Sequence, residues 1–303
     1  MELRQLEYFM AVCEELHFTK AAEKLNIAQP TLSQQIKSLE DYVGLPLFDR
    51  IGKTIALTEA GKILLSHCQR VFFELEQAKA AISDLNGLER GVLNVGSLFT
   101  CMNYLLSPAI LTYKHLYPNI KLSVLGLRTD QMIEKLLGNK LDLGIGYLPT
   151  EHEDLVYVPL LIEKLALVVS CNHSLAQLEE VDLRVLQDIS MILLPKSYYL
   201  RQLIEQYCKQ LQITLQPLMQ MTPLESLLQM VSENIGATIL PTPYIDTLKN
   251  SQLVKIRLLK PTPEKEIGFI YRKNKFMCTA TKSFIDQVKV ASKRIQSEDI
   301  QVV

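Results

Sequence analysis

One run of short polar side chains carries the first chemical suggestion. In Gln29-Pro30-Thr31-Leu32-Ser33-Gln34-Gln35-Ile36-Lys37, the side chains of Gln29, Thr31, Ser33 and Gln34 can donate and accept hydrogen bonds, and Lys37 adds a cation. Arg50 and Lys53 follow further along. Donor–acceptor side chains beside cations suit a nucleic-acid groove, where base edges offer both kinds of group and phosphates line the rim. A second set of polar residues stands just after apolar runs. Ser97, Phe99 and Thr100 follow the first such run, Arg128 and Thr129 the second, Gly146 and Tyr147 the third, and Pro195, Lys196, Ser197, Tyr198 and Arg201 follow Ile192-Leu193-Leu194. Hydroxyls and cations at helix starts favour a small anion such as a carboxylate.

Other chemistries find no support. The six cysteines are scattered with no CxxC, and the five histidines are equally dispersed. No HExxH, GxSxG or glycine-rich phosphate loop occurs, which argues against zinc proteins, hydrolases and nucleotide-binding enzymes. No cofactor and no metal is expected, and the thiols read as free, in a reducing compartment. The 303 residues carry a net charge of -1 and are 48% hydrophobic and 21% charged, which fits two or three ordinary globular domains. No apolar run reaches the ~18–20 residues of a membrane span, and the start lacks a basic-then-apolar pattern, so no membrane is expected and the location is expected to be cytoplasmic.

Short helices must position the first set. Leu3, Leu6, Phe9, Met10, Cys13 and Leu16 recur at three- to four-residue spacing. Thr19 can cap a second helix, Asn26-Ile27-Ala28 forms a turn, and Pro30 suits the first turn of a third helix, where its missing N–H costs nothing. That third helix buries Leu32, Ile36, Leu39 and Val43, and Gly44 stops it. Two strands around a Gly52-Lys53 turn follow. The pattern is that of a winged helix-turn-helix, although residues 1–90, with 10 basic and 13 acidic side chains, are not net basic. Thr58 then caps a long helix whose seam, Leu64, Cys68, Val71, Leu75, Ala78, Ile82 and Leu85, is spaced for a two-helix coiled coil between chains. Beyond residue 90, apolar strands alternate with helices, as in parallel α/β sheets that bind ligands at their strand ends.

The residues Leu3-Arg4-Gln5-Leu6, Tyr8-Phe9, Phe18-Thr19-Lys20-Ala21-Ala22, Ala28-Gln29-Pro30-Thr31-Leu32-Ser33, Gly44, Leu47-Phe48, Arg50 and Leu57-Thr58 stand in a linked register. That register resembles LysR-type transcriptional regulators. Gln34 stands where many members have Arg, and Ala28 where Ser or Thr is common. The resemblance implies a DNA-binding domain over 1–58, a dimerising linker helix over 59–88 and an effector domain over 91–303. The latter's two lobes, 91–162 with 268–303 and 163–267, are similar to periplasmic binding proteins. It implies a sequence-specific, non-enzymatic regulator of double-stranded DNA, switched by a small molecule expected to be anionic. DNA contacts are expected from Gln29, Pro30, Thr31, Ser33, Gln34, Lys37, Arg50 and Lys53. Effector contacts carried over from the family are Ser97, Thr100, Thr129 and the loop Pro195–Tyr198. A homo-oligomer is implied, with the tetramer favoured over the dimer, and RNA polymerase is a further partner the resemblance admits. Two alternatives stand beside this: a two-lobed ligand-binding protein or enzyme, and a redox-sensing regulator. Peroxide-sensing members carry two cysteines about nine residues apart; Cys208 matches the second position and Tyr199 occupies the first.

Overall fold

The computed structural model describes residues 1–51, 54–84, 91–147 and 152–300. It divides into two compact units, Met1–Ala81 and Ile82–Val303.

The first unit contains α1 (Leu3–Glu15), α2 (Phe18–Lys24), α3 (Gln29–Val43), the hairpin β1 (Phe48–Ile51) and β2 (Thr54–Leu57), and most of α4 (Glu59–Asp84). Its core joins Leu6, Phe9 and Val12 of α1 to Ala21 and Ala22 of α2 and to Leu32, Ile36 and Leu39 of α3. Helix α2 starts at Phe18, one residue before the expected cap at Thr19. Phe18 is held there by an edge contact with the Phe48 ring, 5.9 Å between centroids, so burial of the ring rather than a hydroxyl cap sets the boundary. Pro30 lies in the first turn of α3, and Gly44 ends it in the left-handed conformation at φ 77°. Glu40 fixes the hairpin to α3 by accepting from the backbone N–H of Leu47 at 2.7 Å and of Phe48 at 3.3 Å. Thr58 accepts from the Gly61 N–H at 3.0 Å, the expected cap of α4. Gly61 is required there: a Cβ would lie 2.2 Å from the Leu47 carbonyl oxygen.

The second unit is a two-lobed α/β structure. It runs β3 (Gly91–Ser97), the short helix α5 (Phe99–Cys101), a π-helical turn at Met102–Leu106, α6 (Ser107–Leu116), β4 (Ile120–Gly126), α7 (Thr129–Leu137), β5 (Leu143–Gly146) and β6 (Leu155–Ser170). After β7 (Glu180–Asp182) come β8 (Ile192–Leu193), α8 (Tyr199–Gln210), β9 (Met219–Gln220), α9 (Leu224–Ser232), β10 (Thr238–Pro241), α10 (Thr242–Asp246), β11 (Leu253–Leu259), β12 (Glu264–Arg272) and α11 (Thr279–Ile300). Strands order as β4-β3-β5-β12-β6-β11-β7, with β10 also on β6. The 16-residue β6 belongs to both lobes: its first part pairs with β12, and from Leu165 it pairs with β10 and β11. The expected parallel strands are present, and an antiparallel strand joins them. Strands β3, β4 and β5 are parallel, but β12 runs antiparallel to both β5 and β6. A chain that leaves the first lobe on one strand must re-enter it in the opposite direction.

Candidate functional site

The exposed start of α3 carries the first constellation. Gln29, Pro30, Thr31, Gln34 and Lys37 are exposed and Ser33 is half-buried, while Leu32, Ile36 and Leu39 face the core. Gln29 donates to the Ser33 hydroxyl at 2.8 Å, which orders the two short side chains into one polar surface. These residues, except Thr31, border a shallow depression closed by Phe18, Pro46 and Phe48. Arg50 is on β1, but its side chain, like all of Lys53, lies outside the described residues.

On α4 the expected seam is split. Leu64 packs against the core of the first unit and Cys68 is buried in it. Val71, Leu75 and Ile82 are 40%, 37% and 65% exposed, and Ala78 is exposed with them; Leu85 lies outside the described residues. The first turns of the seam therefore serve the chain's own fold, a correction forced by the hairpin and α1 folding back onto α4. The later turns present an uncovered apolar stripe.

The second constellation surrounds a cavity of about 540 Å³ between the two lobes. From the first lobe come Leu98, Phe99, Thr100, Met102, Asn103, Leu127, Arg128, Thr129 and Tyr147; the second contributes Leu194, Tyr198–Leu200, Thr222–Glu225 and Tyr244. Phe99, Thr100, Arg128, Thr129 and Tyr198 thus meet where expected. Ser97, Gly146, Pro195, Lys196 and Ser197 do not line it. Ser97 is fully buried with its hydroxyl on the Leu98 carbonyl, and a Cβ at Gly146 would meet Met132 and Leu98 behind the wall. The Pro195–Ser197 segment lies outside the lining, its Lys196 carbonyl accepting from Gln202.

Thr129 opens α7 and is 6% exposed, yet its hydroxyl oxygen is the one buried side-chain polar atom without a hydrogen-bond partner among the described residues. Such a group costs roughly 1–3 kcal/mol until a ligand or water meets it. Arg128 is already engaged, with Nη2 2.5 Å and Nε 3.1 Å from the Asp130 carboxylate and its guanidinium 5.9 Å from the Tyr198 ring centre. This pair holds the Asp130 pKa below its ordinary value. Tyr147 and Tyr199 contact each other with ring centres 5.1 Å apart.

Behind the wall lies a group that the sequence reading missed. Glu163, in the middle of β6, is fully buried. It accepts hydrogen bonds from the Tyr104 hydroxyl and, at 2.5 Å, from the Tyr147 hydroxyl, with the Cys101 thiol at 3.9 Å. Burial raises its pKa from 4.5 to about 7, and the three donors offset only part of that rise. The alternation of β6 puts Glu163 on the buried face with Leu161 and Leu165, but its acidic side chain marks it as a solvent-facing residue until the partners that surround it are known. Among the described residues no cluster could hold a metal ion, and no helix is long and apolar enough to cross a membrane.

A helix-turn-helix unit joined to a two-lobed α/β unit with a ligand-sized cavity defines a ligand-responsive DNA-binding protein. Comparison with known proteins gives the family. The model described as LysR substrate binding domain matches residues 86–292, and that described as bacterial regulatory helix-turn-helix protein, lysR family, matches residues 3–62. The chain belongs to the LysR family of transcriptional regulators, and it is a DNA-binding regulator with an effector-binding domain. It is 32% identical over 273 residues to a hydrogen peroxide-inducible genes activator of Haemophilus influenzae, covering 90% of this chain and 91% of that protein. To the DNA-binding transcriptional dual regulator OxyR of Escherichia coli it is 31% identical, covering 90% of each. A full-length OxyR variant from Pseudomonas aeruginosa shares the fold with TM-score 0.74 and 24% identity, over 96% of this chain and 98% of that one.

Proposed function

We propose that this regulator reads DNA with the start of α3 and is switched by a small effector bound in the cavity between the lobes. The unpartnered, buried hydroxyl of Thr129 at the N-terminus of α7 is the observation that carries the effector site. A hydrogen-bond acceptor of the ligand meets Thr129, with Thr100 beside it, and the rings of Phe99, Tyr147, Tyr198, Tyr199 and Tyr244 enclose the rest. On the DNA side, Gln29, Thr31, Ser33 and Gln34 face base edges, Pro30 fixes the entry of α3, and Lys37, Arg50 and Lys53 meet phosphates. The uncovered stripe of Val71, Leu75, Ala78 and Ile82 pairs two chains, and Leu64 supports it from within its own unit. The domain limits 1–58, 59–88 and 91–303 describe this division of labour, in which the chain turns over no substrate. RNA polymerase is the partner through which a bound regulator acts on transcription, and a cytoplasmic location suits that role.

The peroxide response named for the Haemophilus relative is not carried across. Tyr199 stands at the first cysteine position, and burial pushes the Cys208 thiol up to about 11, away from the reactive thiolate such a response needs. The test of the effector site is Thr129→Val, which keeps the shape and removes the hydroxyl. It should weaken effector binding about 5- to 10-fold, the value of a net hydrogen bond of roughly 1–1.5 kcal/mol. It should also stabilise the ligand-free chain, because the unsatisfied group is gone. Equal effector affinity with unchanged stability would show Thr129 to be an ordinary helix-start residue.

A further inference from the structure

Glu163 is not needed to explain DNA binding, and its surroundings are unusual for a carboxyl group. It stands on β6 just before the strand passes from one lobe to the other, opposite Lys265 of β12. Among the described residues no cation lies within ion-pair distance of it. Lys265 instead reaches over the Tyr199 ring, 5.2 Å from its centre. The groups that face the carboxyl are the Cys101 thiol at the end of α5, the Tyr104 hydroxyl from the π-helical turn and the Tyr147 hydroxyl after β5. Farther out stand Tyr157 of β6, Tyr199 of α8, and Glu266 of β12, which is near Tyr157. Burial pushes the Cys101, Tyr104 and Tyr147 groups well up, so all three stay neutral donors near neutral pH.

Of Glu163, Cys101, Tyr104 and Tyr147, the carboxyl is thus the one whose charge can change near neutrality, and one of its donors lines the cavity. Tyr147 lines the cavity and donates to it directly, and Cys101 follows Thr100, another lining residue. The cavity itself offers no unpaired cation among its described residues. Arg128 is held by Asp130, and the other charged side chain in the lining, Glu225, is negative. A ligand carrying a negative charge would therefore lie in a low-dielectric space with a carboxyl behind the wall and no unpaired cation in the lining, Lys265 being engaged over the Tyr199 ring outside it. Like charges brought close together in such a space favour keeping one of the two groups protonated. An uncharged ligand of the same shape meets no such cost.

We infer that Glu163 is a specificity-determining residue of this cavity: acting through Tyr147, it lets an uncharged, ring-sized ligand bind freely and admits the anionic counterpart only while a proton stays on Glu163. This rests on the reading of the cavity as the effector site, and it narrows the effector to an aromatic or similarly apolar molecule with one hydrogen-bond acceptor for Thr129. The expectation of an anionic effector with Lys196 supplying charge gives way, since Lys196 is outside the lining. Glu163 is here a positioning residue that touches no ligand.

The probes are phenylacetamide and phenylacetate, alike in shape but neutral and anionic, titrated calorimetrically into the full-length protein from about pH 6 to about pH 8.5. Phenylacetamide should bind with an affinity independent of pH. Phenylacetate should bind more weakly and lose about tenfold over that range, since one linked proton allows at most a tenfold change per pH unit. In Glu163→Gln the phenylacetate slope should vanish and its affinity approach that of the amide. Tyr147→Phe, which keeps the ring and the carboxyl, should flatten the slope whatever it does to absolute affinity. Thr129→Val should weaken both probes, which places them in the cavity. A flat phenylacetate profile in the unmodified protein, or a slope that survives Glu163→Gln, overturns the inference while leaving the effector site standing. Binding of neither probe, or binding indifferent to Thr129→Val, overturns both.

Discussion

Glu163→Gln should change the pH dependence of stability even with no ligand present. Burial raises the folded-state pKa from 4.5 to about 7, and the donors Tyr104, Tyr147 and Cys101 only moderate that rise. Below about pH 4.5 the carboxyl is protonated in both folded and unfolded chains, and it costs nothing. Between about pH 4.5 and about pH 7 the unfolded chain releases the proton while the folded chain keeps it, so stability falls as pH rises. Above the folded pKa the loss is complete. At about 1.4 kcal/mol per pH unit, the interval from 4.5 to about 7 corresponds to about 3 kcal/mol, a large part of a domain's net stability. The amide that replaces the carboxyl in the variant has no such proton, and its oxygen can still accept from the tyrosine hydroxyls. The difference in unfolding free energy, variant minus parent, should therefore grow by about 3 kcal/mol from about pH 4.5 to about pH 8, in favour of the variant. Urea titrations at several pH values, followed by the tyrosine signal, measure it, because ten of the twelve tyrosines lie beyond residue 91 and report on the second unit. A difference that stays constant across that range would refute the assignment of a neutral buried acid.

Three further outcomes are expected. Lys37→Ala should weaken specific and non-specific DNA alike and reduce the slope of log affinity against log salt by about one, read by fluorescence anisotropy over a salt series. Gln29→Ala should cost about 1–3 kcal/mol on the preferred operator and relax preference at particular base pairs; unchanged operator affinity at matched salt would count against the docking of α3. Leu75→Asp combined with Ile82→Asp should, in sedimentation, leave a smaller species that binds its operator poorly, because buried unpaired charges cost several kcal/mol.

Much of the first unit could be read from spacing alone. The middle of the apolar rows of α1 and α3 needed only the helical period, and Pro30, Gly44 and Thr58 punctuate their elements through local backbone chemistry. Leu3, Leu16 and Val43 at the row ends, expected to be buried, are exposed because no neighbouring element among the described residues reaches them. The polar face of α3 follows from the same period, since what a helix does not bury it presents to solvent. Where a side chain from far along the chain intervened, the local reading slipped. Phe48 pulled the start of α2 to Phe18, and the folding of the first unit took Leu64 and Cys68 out of the seam.

Strand ends in the second unit pointed to Thr100, Arg128, Thr129 and Tyr198, because helices that start beside a sheet edge aim their first residues at the crevice. They could not show that Arg128 is already paired, that Lys196 is outside the lining, or that Tyr199, Leu224 and Tyr244 close the cavity. Those facts depend on which lobe each side chain faces, and a period along one element carries no information about its neighbours. Glu163 is the sharpest case. In sequence the strand period places it on the inward face with Leu161 and Leu165, yet it is an acidic residue with no partner nearby along the chain. Only the meeting of β6 with the π-helical turn and the end of β5 surrounds it with Tyr104, Cys101 and Tyr147 and removes it from water. Burial and the absence of a nearby cation are properties of assembled elements, so tertiary structure alone decides the charge that Glu163 carries.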